Sequence, residues 1–230
     1  PVVCTAVIRV NDDVRSFRLK PNVGELKPAL PGQHIVVQTR IDDNWVQRPY
    51  TLSSPSGETS YYEITVKREP RGLFSRWLFD QLNDNAFIRV SSPQGNFVLE
   101  PDLAVPAICL VGGIGMTPAL AMVRSIIAEG RKQRLHVDYS CSRRNHFAYI
   151  EELQQAASDY EGISLTWRVT QEQGYIRREE LEALLADMPQ GVFYICGPQG
   201  FQSHLQQLLA SLGVVQQRIR TEEFTPQGAK

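Results

Sequence analysis

A two-domain fold, an antiparallel β-barrel followed by a doubly wound α/β domain with a parallel sheet, is predicted for this chain by two observations. Up to about residue 100 the apolar residues fall into short runs separated by turn formers, and after Pro101 apolar runs alternate with amphipathic helical stretches. The boundary is expected near residues 101–105, which gives a barrel over 1–101 and an α/β domain over 102–230 with a linker-like tail. With 230 residues, 42% of them hydrophobic, burying a core is no difficulty.

In the first half, strands are expected over 3–10, 16–19, 34–39, 61–67 and 87–90, punctuated by Asn11-Asp-Asp, Pro31-Gly32, Ser56-Gly57 and Pro93-Gln-Gly95. Several short strands so punctuated predict a barrel or sandwich. One helix is expected over 73–82, where Leu73, Trp77, Leu78 and Leu82 share a face. In the second half, strands over 107–111, 136–139, 164–169 and 192–195 alternate with helices over 119–129, 149–157, 178–185 and 201–212. Alternation of this kind is the pattern of parallel strands joined by crossover helices.

Charge and composition exclude several classes. The formal charge is −1, so the basic footprint of a nucleic-acid binder is absent. The longest apolar run, Val105 to Val111, is far short of the roughly 20 residues that span a bilayer. The cysteines Cys4, Cys109, Cys141 and Cys196 lack the close spacing of a zinc or iron–sulfur site and are read as reduced and cytoplasmic. The histidines His34, His136, His146 and His204 show no ligand spacing, and Trp45 and Trp77 are read as packing. The chain opens on Pro1 without a signal peptide and closes on a polar tail, consistent with a domain cut from a longer polypeptide.

Four segments carry chemistry. Val111-Gly-Gly-Ile-Gly-Met-Thr-Pro118 joins a strand to a helix, where glycines admit a phosphate to the backbone and the helix end offers free N–H groups. Pro118 suits a first helical turn. Cys196-Gly-Pro-Gln-Gly200 leaves the end of another predicted parallel strand, although Cys196 alone reads as a buried core thiol. Arg48-Pro-Tyr-Thr51, following a strand, sets a cation for phosphate and a phenol for a ring side by side, and Gly72-Leu-Phe-Ser75 opens a helix that offers a second phosphate site. Read without partners, the Arg48 segment is equally a polar barrel loop.

In this order the four segments resemble the ferredoxin–NADP reductase superfamily along essentially the whole chain. Its Arg-x-Tyr-Ser/Thr pattern is found at Arg48, Pro49, Tyr50 and Thr51, and its Gly-x-x-Ser at Gly72, Leu73, Phe74 and Ser75. Its glycine-rich turn is found at Gly112, Gly113, Gly115, Thr117 and Pro118, and its Cys-Gly-Pro at Cys196, Gly197 and Pro198. The resemblance implies an antiparallel barrel that binds FAD and an α/β domain that binds NADH or NADPH. It places Arg48 and Ser75 at the FAD pyrophosphate, Tyr50 along the isoalloxazine, Thr51 near its N5, and Val66, Lys67 and Arg68 around the rest. Gly113, Thr117 and Cys196 would frame the nicotinamide, and Phe224 would cover the flavin as the C-terminal aromatic, with Glu222 before it in a Glu-Glu-Phe ending. Thr51, Cys196 and Glu222 are then the residues at the reacting atoms, as positioning groups.

The implied activity is hydride transfer from the nicotinamide to FAD and single-electron release to an acceptor. That acceptor is expected to be a [2Fe–2S] ferredoxin-type or haem group on a fused domain or a separate chain. NADPH-using members carry an Arg after the third strand of the nucleotide domain, and Gln171 in Val169-Thr-Gln-Glu172 stands there instead, which favours NADH. Arg143, Arg144, Arg177 and Arg178 are the cations that could reverse this preference. The alternatives are a free-standing flavin or ferric reductase, a nucleotide- or redox-sensing subunit of the same fold without turnover, and a sugar-nucleotide binder. The last leaves the Arg48 and Gly72 segments unexplained.

Overall fold

In a computed structural model of the chain, residues 1–222 are described. The N-terminal sheet holds six strands: β1 (Val2–Arg9), β2 (Val14–Pro21), β3 (His34–Ile41), β4 (Asn44–Thr51), β5 (Tyr62–Lys67) and β6 (Phe87–Val90), in the order β4-β3-β6-β1-β2-β5. All of the pairings are antiparallel. A bridge between Leu52 and Ile64 ties the two end strands together and closes the sheet into a barrel. Phe17, Leu19, Ile35, Ile64 and Leu78 fill it, the last from helix α1 (Leu73–Gln81).

The α/β half holds β7 (Ala107–Gly112), α2 (Thr117–Glu129), β8 (Leu135–Cys141), α3 (Ile150–Asp159), β9 (Ile163–Val169), a short α4 (Thr170–Gln173), α5 (Arg178–Asp187), β10 (Val192–Cys196), α6 (Gln199–Ser211) and β11 (Ile219–Glu222). Its five strands are parallel, in the order β11-β10-β7-β8-β9. The chain runs outward from β7 to β9 and then returns to the other side of β7. The order therefore reverses between β7 and β10, the place where open sheets of this class leave a crevice at their C-terminal ends.

Two strands lay outside the sequence expectations. β4 contains Arg48 to Thr51, so that segment lies on a strand and does not follow one as a loop. Its run of polar residues with a proline concealed it, yet β4 is at the end of the strand order, where a missing N–H is tolerated. β11 was hidden by its four residues, Ile-Arg-Thr-Glu, and by its place at the sheet edge.

The two halves are joined by a buried polar seam. Glu63 on β5, 1% exposed, receives Arg18 at 2.9 Å and Arg124 of α2 at 2.5 Å. Arg124 also donates to the Ser53 carbonyl at 2.8 Å and forks onto Glu152 of α3 at 2.6 and 2.8 Å. Tyr149 lies under the same guanidinium, 4.9 Å from it, and its hydroxyl is 2.7 Å from Ser16 Oγ on β2. All four cysteines are free and buried. Burial pushes the thiols of Cys4 and Cys141 up to about 11 and that of Cys109 up to about 12.

Candidate functional site

Strand β4 runs beside β3 with Arg48 opposite Val37, Tyr50 opposite Ile35 and Thr51 opposite His34. The two-residue period of a strand puts Arg48 and Tyr50 on one face and Pro49 and Thr51 on the other. The Tyr50 ring centre is 6.0 Å from that of Phe74 at the start of α1, which lies 6.3 Å from Trp77. Burial raises the Tyr50 phenol well above its ordinary range, against the lowering pull of Arg48, so it stays protonated. Arg48 meets no carboxylate among the described residues; its guanidinium rests on the neighbouring Gln47 carbonyl at 2.7 Å. A half-buried cation and a packed phenol thus share one face of an edge strand.

Gly72 precedes α1 in extended backbone, and the Ser75 hydroxyl closes that turn, receiving the Glu69 N–H at 3.1 Å and donating to the Gly72 carbonyl at 3.4 Å. A Cβ on Gly72 would stand 2.5 Å from Ser75 Oγ, so glycine is needed for this turn. Leu73 is exposed at the helix start, while Val66 points into the barrel core. Lys67 lines the cleft between the domains. The Arg68 guanidinium is taken up by Asp80 of α1 at 2.9 Å.

On the other side of the cleft, β7 and β10 run side by side with Cys196 level with Val111. The turns that leave them touch: a Cβ on Gly115 would meet the Cys196 carbonyl oxygen at 2.5 Å. Gly113 has φ +56 with open space where a Cβ would be, which leaves its backbone bare toward the cleft. Thr117 and Pro118 are buried in the first turn of α2, and Gly197 is buried with Phe201 against it. Cys196 is fully buried and does not line the cleft. Its thiol is held well above the ordinary value by burial first, then by Glu222 and Cys109, so it stays neutral.

The cleft measures about 510 Å³. Lys67, Asn11 and Asp13 line it from the barrel, and Gly112, Gly113 and Pro198 from the glycine-rich turns. His146, Thr170, Tyr175 and His204 also line it. Gln171 is exposed beside Thr170 and does not line it. Next to Gln171, Glu172 clasps Arg144 through two contacts of 2.7 and 3.2 Å.

Thr51 tests whether FAD suits this barrel. Its hydroxyl is buried at the end of β4, with no hydrogen-bond partner among the described residues. A buried polar group left so costs about 1–3 kcal/mol, which a bound polar ring would recover. Together with Arg48 and Tyr50, it fits a phosphorylated aromatic cofactor. Glu222, at the end of β11 and level with Cys196, reaches back to His34 of the barrel at 3.3 Å. Phe224 lies outside the described residues.

Known proteins agree with this arrangement. Residues 1–99 match the model of the oxidoreductase FAD-binding domain, and residues 109–207 that of the oxidoreductase NAD-binding domain. The chain belongs to the ferredoxin–NADP reductase superfamily. It is 30% identical over 239 aligned positions to a flavohemoprotein of Bacillus thuringiensis subsp. konkukian, covering 95% of this chain and 59% of that protein. This superfamily member thus spans somewhat over half the length of the curated relatives it matches. Its fold is that of the flavohem-like FAD/NAD-binding domain of nitric oxide dioxygenase from Vibrio cholerae O1 biovar El Tor, with a TM-score of 0.80, 24% identity and 96% of each chain covered. Phthalate dioxygenase reductase, a modular structure for electron transfer from pyridine nucleotides to [2Fe–2S], gives a TM-score of 0.80 at 23% identity, over 99% of this chain and 68% of that one.

Sequence reasoning missed His34, Glu63, Arg124 and Tyr149. Each is isolated in sequence from its partners, which only the docking of barrel on α/β domain brings to it.

Proposed function

We propose that this chain is an NADH-oxidising flavoprotein reductase module that passes electrons to a haem or iron–sulfur acceptor. The observation that carries the reading is the cleft itself, with Lys67 of the barrel on one wall and the Gly112–Gly113 turn and Pro198 on the other. On the barrel, Arg48 and the start of α1, which do not line that cleft, would hold the FAD pyrophosphate, Tyr50 would lie along the flavin, and Thr51 would supply a hydroxyl to it. The glycine-rich turn before α2 would take the pyrophosphate of the nicotinamide nucleotide against bare backbone N–H groups. When bound, FAD accepts a hydride from the nicotinamide and gives up electrons singly. The chain's own part is to orient the two rings and to exclude water. No side chain is required as an acid or a nucleophile, in keeping with the neutral, buried thiol of Cys196.

The flavohemoprotein relatives support haem as the acceptor, on a domain or partner outside this sequence. The reduced cysteines support a cytoplasmic setting. No helix among the described residues is long and apolar enough to cross a membrane. The test is the visible spectrum under anaerobic NADH: the flavin bands are expected to bleach within the mixing time of a manual titration and to return on adding an oxidised haem or [2Fe–2S] protein. A flavin that NADH and NADPH both leave oxidised would favour a sensing subunit, and a protein that takes up no FAD would overturn the assignment.

The placing of Glu172 supports the NADH reading. Its carboxylate engages Arg144, one of the arginines that could otherwise reach a 2′-phosphate. Arg144 in turn holds the Glu172 carboxyl below its usual range, so the negative charge is present at neutral pH. Glu172→Gln is expected to free Arg144 and raise kcat/KM for NADPH several-fold while leaving that for NADH within twofold. Parallel steady-state assays with the two nucleotides check this; an unchanged ratio would place the discrimination elsewhere.

A further inference from the structure

Tyr149, just before α3, has φ +54, a left-handed backbone that a bulky side chain rarely adopts. The other non-glycine residues of this kind among those described, Asp42, Asp43 and Asn85, are types that tolerate it. Such a conformation persists only where its surroundings over-determine it. Here it turns the ring under the Arg124 guanidinium and carries the hydroxyl to Ser16 of the barrel at 2.7 Å. The contact continues inward. Ser16 Oγ is 2.8 Å from Thr65 Oγ1, its ladder partner on β5, and Thr65 Oγ1 is 2.9 Å from Ser53 Oγ, which reaches Glu63 Oε1 at 3.1 Å.

The carboxylate and the carbonyl of Glu63 can only accept, so the run has one direction. Ser53 donates to Glu63, Thr65 to Ser53, Ser16 to Thr65, and Tyr149 to Ser16. Each hydroxyl gives its single proton to the next, and the phenol is the donor that completes Ser16.

Both ends of this run are held by the α/β half: Arg124 of α2 grips Glu63, and Tyr149 grips Ser16. These grips are on elements that build the cleft. The glycine-rich turn leads into α2, and His146 and Ala148, close to Tyr149 in the chain, line the cleft wall. On the barrel, Ser53 follows Thr51 at the end of β4, and Thr65 leads along β5 to Lys67 on the opposite wall. Two grips fix an angle as well as a distance, where one would leave a pivot. We propose that Tyr149 is a positioning residue for hydride transfer, which through Ser16 sets the angle between the two halves and with it the approach of the nicotinamide to the flavin. This rests on the flavoprotein reading given above. Without the phenol hydroxyl, Arg124 and Glu63 remain as a pivot, and the rings lose alignment while each nucleotide keeps its own contacts. Tyr149 itself exchanges no proton and no electron with either ring.

The experiment is anaerobic stopped-flow reduction of the FAD-loaded protein by NADH, in the unaltered chain, Tyr149→Phe, Ser16→Ala and the double variant. Phenylalanine keeps the ring under Arg124 and removes only the hydroxyl. At saturating NADH the rate constant for flavin reduction is expected to fall about tenfold in Tyr149→Phe, within the losses that small misplacements of reacting groups cause. The NADH dissociation constant and the FAD content should stay within about twofold of the unaltered values. The long-wavelength charge-transfer absorption of stacked nicotinamide and flavin rings should weaken in parallel. Ser16→Ala should show the same loss, and the double variant no more than either alone, because both remove one contact. A merely structural role would lower stability or FAD content and leave the rate of the loaded, saturated protein unmoved. An undiminished reduction rate and charge-transfer band in Tyr149→Phe would overturn the proposal, as would single losses that add in the double variant. Should Tyr149→Phe fail to fold, Ser16→Ala decides by the same readings. An unaltered chain that takes up no FAD, or whose flavin neither nucleotide reduces, would sink the functional reading and the proposal with it; unmoved rates in a chain that NADH does reduce sink the proposal alone.

Discussion

Replacing Arg124 by methionine is expected to destabilise the protein by about 3–5 kcal/mol, because it strips one of two cations from a carboxylate that has no access to water. Glu63 is 1% exposed, and its other supports are Arg18 at 2.9 Å and the Ser53 hydroxyl at 3.1 Å. The methionine stem would still fill the space over Tyr149, so the loss reports charge more than packing. Urea unfolding followed by far-ultraviolet circular dichroism measures it, and a midpoint unchanged within error would show that Glu63 finds a substitute. Adding Glu63→Gln to Arg124→Met should recover part of the loss, since the uncompensated charge is then gone.

The same seam gives a pH dependence of definite sign. Burial by itself would raise the Glu63 carboxyl, but Arg124 and then Arg18 outweigh it and hold the group below its usual value. A carboxyl depressed in the folded state stabilises at pH above the ordinary carboxylate range, and that stability is lost as the pH falls through the folded value. Acid should therefore unfold the unaltered protein more steeply than the double variant.

Arg48→Ala is expected to weaken FAD binding about 100-fold, which corresponds to one or two charge-assisted hydrogen bonds to a phosphate. The side chain has no carboxylate partner among the described residues and its hydrogen bond there is to the Gln47 carbonyl, so removing it should leave the barrel intact. Fluorescence quenching on adding FAD to the apoprotein gives the dissociation constant. Near-native affinity in Arg48→Ala would move the phosphate site to Gly72 and the start of α1.

The sequence revealed those parts of the molecule whose signal is local. Period-two and helical runs marked most strands and helices, and Gly112 to Pro118 announced a strand-to-helix turn because only such residues can make one. Where pairing across the sheet decides the structure, the signal was weak: β4 reads Asn-Trp-Val-Gln-Arg-Pro-Tyr-Thr and becomes a strand because β3 offers it a ladder. Cys196 shows the converse. Its neighbours pointed to the nicotinamide, while the structure buries its sulfur away from the cleft lining and packs Gly115 against its carbonyl. Thr51 and Glu222 were legible through the resemblance, but that the Thr51 hydroxyl lacks a partner among the described residues and that Glu222 meets His34 depend on where separate segments meet.

The four buried sulfurs have a consequence for durability. A thiol is attacked by peroxide or alkylating reagents as its anion, and burial raises each of these thiols above its ordinary value, Cys141 included although it lines the cleft. A reductase of the kind proposed above would meet such oxidants if its reduced flavin leaked electrons to oxygen. Such oxidants would then meet neutral thiols in the folded chain, with Cys141 on the cleft wall the first within their reach.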